Sequence, residues 1–303
     1  MTVHADETPI DEDAVRQLIA AQFPRWQHEP VEPVDADGTV NAIFRIGERL
    51  AARFPRTATT VETLQTEGAA MHEFAEHSPI SAPEPVAIGE PGDGYPMPWS
   101  IQTWLPGRVA TTDAVAHSTG FARDLAALLR ALRATDTRGR TFSGRGRGGN
   151  LQDSDEWMQT CFRESAGLLP VDELRRLWAR FRMLPTGGPD VMTHGDLTPP
   201  NLLLDGERLV GVLDTGGFAP ADPALDLVSA WHLLDADARA VLRQELGVDD
   251  LEWHRGAAWA FQQSMGLVWY YRETLPSMSA LGRSTLARLL ADASLKGDLP
   301  LPA

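Results

Sequence analysis

The sequence predicts an α+β protein in two parts: a small antiparallel sheet with one helix over residues 1–106, and a mostly helical part over residues 107–303. Three observations carry this. The chain has 303 residues, and chains of that length tend to divide into two cores. Its first third holds short alternating apolar runs separated by Gly, Asp and Pro, the pattern of strands and turns. From Asp113 onward apolar residues recur mainly at helical spacing.

Composition narrows the function classes. Hydrophobic residues make up 43%, enough for a sizeable core, yet no apolar run is long enough to span a bilayer. Met1 to Asp13 is acidic and lacks the apolar core of a signal peptide. Cys161 is the single cysteine, so no internal disulfide forms, which suits a reducing cytoplasm. The formal net charge of −15 repels nucleic acid and anionic membranes and attracts cations. Lys296 is the one lysine, so almost all positive charge is arginine. A cytoplasmic monomer or weak dimer with no nucleic-acid or membrane partner is expected.

Residues 14–21 read as a helix with Val15, Leu18 and Ile19 on one face. Strand character begins near Val31. A turn follows at residues 35–41, containing Gly38. Asn41 to Ile46 and Glu48 to Phe54 then form a hairpin around Gly47-Glu48. Along that second strand Leu50, Ala52 and Phe54 share one face, and Ala51 and Arg53 the other. Val61 to Ala75 is a helix with a stripe of Leu64, Gly68, Met71 and Ala75. At about 100° per residue, Glu67 falls within the apolar arc, between Met71 and Phe74. A carboxylate there needs a partner, and Arg53 is the natural one. Pro85 to Ile88 and Trp99 to Leu105 are strands, the second ended by Pro106-Gly107.

Asp113 to Thr135 reads as one long helix buried through Phe121, Leu125, Leu128, Leu129 and Leu132. Gly144 to Asn150 contains Gly-x-Gly-x-x-Gly. A helix precedes it where a dinucleotide fingerprint requires a strand, so it is read as a flexible basic loop. Asp153 to Phe162 and Val171 to Arg182 are amphipathic helices, and Val191 to Thr193 is a short strand. Leu202–Leu204 and Leu209–Leu213 flank Asp205-Gly206, a hairpin signal. Such a hairpin sets Asn201 and Asp214 side by side at its open end, an amide and a carboxylate of the hard-oxygen kind magnesium takes. Asp222-Pro223 reads as a helix start, opening a helix through Leu234. Ala238 to Leu290 is helical, with Trp253, Trp259, Trp269, Tyr270 and Tyr271 read as core.

His194-Gly195-Asp196, four further residues, Asn201, and then Asp214-Thr215-Gly216 resemble the catalytic and metal loops of the aminoglycoside phosphotransferase family. These are antibiotic kinases with a protein-kinase-like fold. The resemblance extends from about residue 14 to about residue 275, most specifically over 194–226. It implies a bilobal kinase-like α+β fold and transfer of a nucleoside triphosphate's γ-phosphoryl to a small-molecule hydroxyl, with ATP or GTP as co-substrate and Mg2+ as metal. It implies that Asp196 orients the hydroxyl and accepts its proton, and that Asn201 and Asp214 hold magnesium. Arg53 stands where kinases have a phosphate-binding lysine, with Glu67 as its partner. The backbone of Thr103 and Leu105 meets the adenine edge. Asp226 braces the catalytic loop. The turn at Gly38 matches the phosphate-covering loop, with one glycine where kinases have Gly-x-Gly.

The family's acceptor pocket is acidic. Asp222, Asp226, Asp235, Asp237, Glu245, Asp249, Asp250 and Glu252 lie where it is built. An aminoglycoside-like antibiotic is therefore the expected acceptor, modified as a means of resistance. Two readings compete: a metabolic kinase for choline-like, amino-sugar or macrolide acceptors, and a nucleotide-binding pseudokinase. The missing lysine and thin glycine loop support the second, and intact Asp196, Asn201 and Asp214 oppose it.

Overall fold

The computed structural model describes residues 8–34 and 40–295. The turn containing Gly38 lies outside the described residues. The chain forms two units, one of residues 1–107 with 211–217, the other of residues 108–210 with 218–303. The class is the expected α+β one, an antiparallel sheet and ten helices among the described residues.

The first unit begins with α1 (Glu12–Gln22), started by Asp11, whose carboxylate accepts from the Ala14 N–H at 2.9 Å. Next come β1 (Val31–Pro33), β2 (Asn41–Ile46), β3 (Leu50–Pro55), α2 (Val61–His77), β4 (Pro85–Gly89) and β5 (Trp99–Thr103). The five strands pair antiparallel in the order β1-β2-β3-β5-β4. The β2–β3 turn passes through Gly47 at φ +56°, a conformation glycine adopts without strain. The alternation expected of β3 holds. Ala52 and Phe54 enter a core with Val15, Leu18, Ile19, Trp99 and Ile101. Phe54 and Trp99 stack with ring centroids 4.7 Å apart. Arg53 leaves from the other face. A ring pair of this kind anchors the sheet, since truncating a buried Phe costs about 3–5 kcal/mol.

The second unit opens with β6 (Arg108–Val109), α3 (Thr112–Val115) and α4 (Thr119–Ala134). The single long helix expected from Asp113 is thus broken. The Ser118 hydroxyl accepts from the Phe121 N–H at 3.1 Å and starts a new helix, whose stripe is buried as expected. Then follow α5 (Asp155–Glu164), α6 (Val171–Phe181), β7 (Val191–Thr193), β8 (Leu202–Asp205), β9 (Arg208–Val212), whose last two residues count with the first unit, and β10 (Ala219–Ala221). The unit closes with α7 (Val228–Leu233), α8 (Ala236–Leu246), α9 (Asp250–Tyr270) and α10 (Pro276–Ala291). β8 and β9 form the expected hairpin, with Gly206 at φ +60° in the turn. β7 pairs with β10, Thr193 opposite Ala219. Trp231, Trp253, Trp259 and Phe261 are buried, and Trp178 stacks on Phe261 at 5.8 Å. No helix among the described residues is long and apolar enough to cross a membrane.

Asp222 does more than the sequence reading gave it. Its Oδ1 accepts from the Ala224 N–H at 3.0 Å and starts the helical turn through Leu225–Leu227 that leads into α7 at Val228, as expected. Its carboxylate is buried against Arg255 (2.6 and 2.8 Å) and the Trp259 indole N–H (2.7 Å). Arg255 also donates to the carbonyls of Gly149 (3.0 Å) and Pro185 (2.6 Å). The pair therefore pins the glycine-rich loop and the linker before β7 to α9. The local Asp-Pro signal holds at Oδ1, while Oδ2 takes a cation 33 positions away, since a buried carboxylate needs charge and hydrogen bonds together.

Candidate active site

The catalytic-loop residues lie in the second unit, directly after β7. The N–H groups of His194 and Gly195 donate to the two oxygens of Asp226, each at 2.8 Å. Asp226 is buried. Burial pushes its pKa up, and the His194 ring and these two N–H donors pull it back. It braces the loop as expected. Gly195 turns the chain at φ +81°, a region open to glycine at little cost. The Asp196 N–H then reaches back to Nδ1 of His194 at 3.2 Å, and the Thr198 N–H to the Asp196 carbonyl at 2.7 Å. Pro199 and Pro200 stiffen the next turn, which ends at Asn201. The Asn201 amide nitrogen donates to the Asp196 carbonyl at 2.9 Å and, longer, to Asp196 Oδ2 at 3.3 Å. Its amide oxygen is thereby turned away from Asp196.

The Asp196 side chain is 43% exposed. Its oxygens are treated unequally. Oδ1 accepts from Arg147 Nη2 and from Gln263 Nε2, both at 2.7 Å. Oδ2 receives the long Asn201 contact. A carboxylate with one oxygen committed to charged and amide donors and the other lightly held is shaped to take a proton at the second.

Arg147 belongs to the basic loop whose arginines were open to facing the cleft, and Gln263 escaped sequence reasoning. Arg147 sits in the glycine-rich loop read as flexible and basic. The Arg255 bonds and the Asp222 N–H on the Gly148 carbonyl (2.9 Å) hold that loop down. The arginine repeat inside the Gly-x-Gly-x-x-Gly stretch was the available signal. Gln263 lies within α9, where periodicity alone singles out no polar residue.

The other site residues belong to the first unit. Arg53 on β3 forms an ion pair with Asp214 at 2.8 Å and contacts Gln102 at 3.4 Å. This corrects the expected Arg53–Glu67 pair. Glu67 is partly buried on α2, and burial raises its pKa, with Arg53 opposing and Asp214 adding to the rise. It feels Arg53 through space while Asp214 takes the direct bond. Asp214 has φ +56°, a left-handed conformation uncommon outside glycine. It precedes the tight turn Thr215–Gly217, which packs on α2. A Cβ on Gly216 would lie 3.2 Å from the Glu67 Cβ. Arg53 is 12% exposed and Asp214 53% at their side chains. At the end of β5 the Thr103 N–H is committed to the Glu84 carbonyl (2.9 Å) and the Trp104 N–H to that of Arg49 (2.7 Å). Among the described residues the Leu105 N–H has no hydrogen-bond partner.

The acids between Asp222 and Glu252 do not form a free acidic surface. Asp222 and Asp226 are buried in the roles above. Asp235 and Asp249 start α8 and α9. Glu245 pairs with Arg123 and Arg130, Asp250 with Arg243, and Glu252 with Arg133 at 2.6 Å. Among the described residues no group of three or more His, Cys, Asp or Glu gathers to hold a metal.

Comparison with known proteins bears on this geometry. A family model described as "phosphotransferase enzyme family" matches residues 31–259. Aminoglycoside 3'-phosphotransferases of Escherichia coli and Salmonella typhimurium are each 32% identical over 85 residues. That stretch is 27% of this chain and 30% of each relative, so the match spans under a third of the curated relatives' length. Among solved structures, the GDP complex of wild-type aminoglycoside 2'-phosphotransferase-IIIa superposes with a TM-score of 0.70 at 19% identity, covering 93% of this chain and 99% of that one. The GDP and kanamycin complex of APH(2")-IIia gives 0.69 at 19%, covering 92% and 99%. A macrolide 2'-phosphotransferase from Brachybacterium faecium gives 0.60 at 19%, covering 90% and 97%. At such identities these structures establish a shared fold.

Proposed function

Because the chain belongs to the phosphotransferase enzyme family, we propose that it moves the γ-phosphoryl of ATP or GTP to a hydroxyl of a small cationic molecule, an aminoglycoside-like antibiotic. The observation that carries this is Asp196, part-exposed and with Oδ1 doubly held. In the step it supports, the acceptor hydroxyl gives its proton to Oδ2 as its oxygen bonds to the γ-phosphorus. The bond from that phosphorus to the nucleoside diphosphate breaks. Little covalent work falls to the protein beyond orientation and charge.

The remaining residues take the parts their chemistry allows. Asp214 offers an exposed carboxylate and Asn201 an amide oxygen, both hard ligands suited to magnesium, which commonly takes one or two protein groups and the substrate's phosphates. Bound there, magnesium supplies positive charge that screens the phosphates. Arg53 binds phosphate oxygens in place of a lysine, with Glu67 adding negative charge near it. The Leu105 N–H and the Thr103 carbonyl meet the base.

The net charge of −15 favours a cationic acceptor by steering, as do the aminoglycoside enzymes among the relatives. The acids after Asp222 give no added support, since most are engaged within the unit. A macrolide is the second reading, favoured by the macrolide phosphotransferase among the superposing structures. We place the reaction in the cytoplasm, carried out by a monomer or weak dimer. Purified protein should be screened with ATP and GTP against aminoglycosides, macrolides and small amino alcohols, following diphosphate release and phosphorylated product by mass spectrometry. Phosphorylated aminoglycoside is the expected result. A neutral or anionic best acceptor would overturn the cationic assignment, and nucleotide binding with no transfer would overturn the phosphotransferase one.

A further inference from the structure

Asp196 Oδ1 is the end of a hydrogen-bond chain that runs into the interior of the second unit. Gln263 on α9 donates its Nε2 hydrogen to Oδ1 at 2.7 Å. Its Oε1 lies 3.0 Å from Nε2 of His232 on α7. The other ring nitrogen of His232, Nδ1, lies 2.8 Å from Oγ1 of Thr285 on α10. His232 and Thr285 are completely buried. Three helices each give one polar side chain to a single file.

Elementary chemistry fixes the protons along it. A carboxylate accepts, so Gln263 must turn its NH2 to Asp196 and its oxygen to His232. An amide oxygen also accepts, so His232 Nε2 carries hydrogen. Burial drives the His232 pKa down to about 4; Gln263 and Asp196 push against that fall, Arg147 and Arg288 with it. The ring is neutral near pH 7 and Nδ1 is a lone pair. The Thr285 hydroxyl must then donate to Nδ1, although the Leu281 carbonyl lies 2.9 Å away. Every group in the file is satisfied in one arrangement.

Packing does not call for such a file. Replacing a buried polar pair by apolar groups of like shape is often neutral or stabilising. What the file does is join Asp196 to three packed helices. We propose that Thr285, His232 and Gln263 form a positioning relay that holds Asp196 Oδ1 in place and so presents Oδ2 to the acceptor hydroxyl. The relay rests on the phosphotransfer reading for its purpose and on the geometry for its existence.

The test separates the two. Thr285→Val keeps shape and removes the hydroxyl, two side chains away from Asp196. Gln263→Leu removes the last link. Displacing a catalytic group slightly costs up to about 10²-fold, so kcat should fall by about 10-fold in Thr285→Val and about 100-fold in Gln263→Leu, with the KM for nucleotide unchanged. Thr285→Ser should restore kcat. In 15N spectra of histidine-labelled protein, His232 should be the neutral Nε2–H tautomer, and Thr285→Val should weaken that bias. Wild-type kcat in both folded variants would overturn the relay. So would an Nδ1–H or charged His232 in the wild type, or a loss of kcat that Thr285→Ser fails to restore. If the wild type transfers phosphate to no acceptor, the functional reading fails, while the tautomer measurement still decides whether the hydrogen-bond file exists.

Discussion

The two units hold their site carboxylates with different numbers of donors. In the first, Asp214 is about half exposed, on a left-handed backbone, with one ion pair to Arg53. In the second, Asp226 is buried with an N–H on each oxygen, and Asp196 has one oxygen doubly bound and the other lightly held. On the proposed roles, the difference separates two tasks. A carboxylate that binds a hydrated cation gains from exposure and from a partner it can exchange. One that orients a hydroxyl gains from donors that do not move, because a small displacement erodes orientation. The second unit sets two buried polar groups, Asp226 and His232, behind the loop that carries Asp196.

The largest effect belongs to Asp196. Asp196→Ala should lower turnover by about 10²- to 10⁴-fold, the range for a general acid–base group. Nucleotide affinity should stay near wild type, since the proposed base and phosphate contacts, Thr103, Leu105 and Arg53, lie in the first unit. Stopped-flow turnover beside calorimetric nucleotide binding would show it. Turnover close to wild type would take the catalytic role from the second unit.

Next is His232. Its ordinary pKa of 6.5 is depressed to about 4 in the fold, first by burial. The unfolded chain therefore takes up a proton at a higher pH than the native one. The contribution to stability is full above about pH 6.5 and is lost as pH falls towards 4, by about 3 kcal/mol. His232→Gln, which does not titrate, should flatten the acid limb of a Tm-against-pH curve by that order. An unchanged limb would mean that this interior is wetter than its burial implies.

Asp226→Asn sharpens the same side. The amide keeps one acceptor oxygen but sets an NH2 against one backbone N–H of His194 or Gly195. One unmet buried donor costs about 1–3 kcal/mol. Urea unfolding should record a loss of about 2 kcal/mol, with faster exchange of the His194 and Gly195 amides.

Legibility in the sequence followed the same divide between near and far. His194, Asp196, Asn201, Asp214 and Asp226 could be singled out because they stand at the spacing of a known family's motif. The β2–β3 and β8–β9 hairpins could be read because Gly47 and Gly206 mark the turns. Arg147 and Gln263 could not. Their partner lies 49 and 67 positions away, and neither a loop rich in glycine nor a helix period says where a polar side chain ends. The same limit hid the Asp222–Arg255 pair beside a sound capping signal, and turned Arg53 towards Glu67 when Asp214 is its direct partner. The acids after Asp222 could be counted but not placed, since arginines remote in sequence neutralise several of them.

The smallest effect tests the first unit. Asp214→Asn removes a charge from an exposed ion pair, and such pairs contribute about 0–1 kcal/mol to stability. The backbone makes the exchange milder still. At φ +56° asparagine is at least as comfortable as aspartate, since both visit the left-handed region more readily than other residues with a Cβ. Stability should therefore change by less than about 1 kcal/mol in urea. The proposed magnesium role predicts more. With the carboxylate gone, the magnesium concentration needed for half-maximal nucleotide binding should rise about tenfold, equivalent to about 1.4 kcal/mol. Arg53, released from its partner, should remain available to the phosphates. If stability falls well beyond 1 kcal/mol while the magnesium requirement stays fixed, Asp214 is a structural partner of Arg53. The contrast between a binding unit and an orienting unit would then collapse.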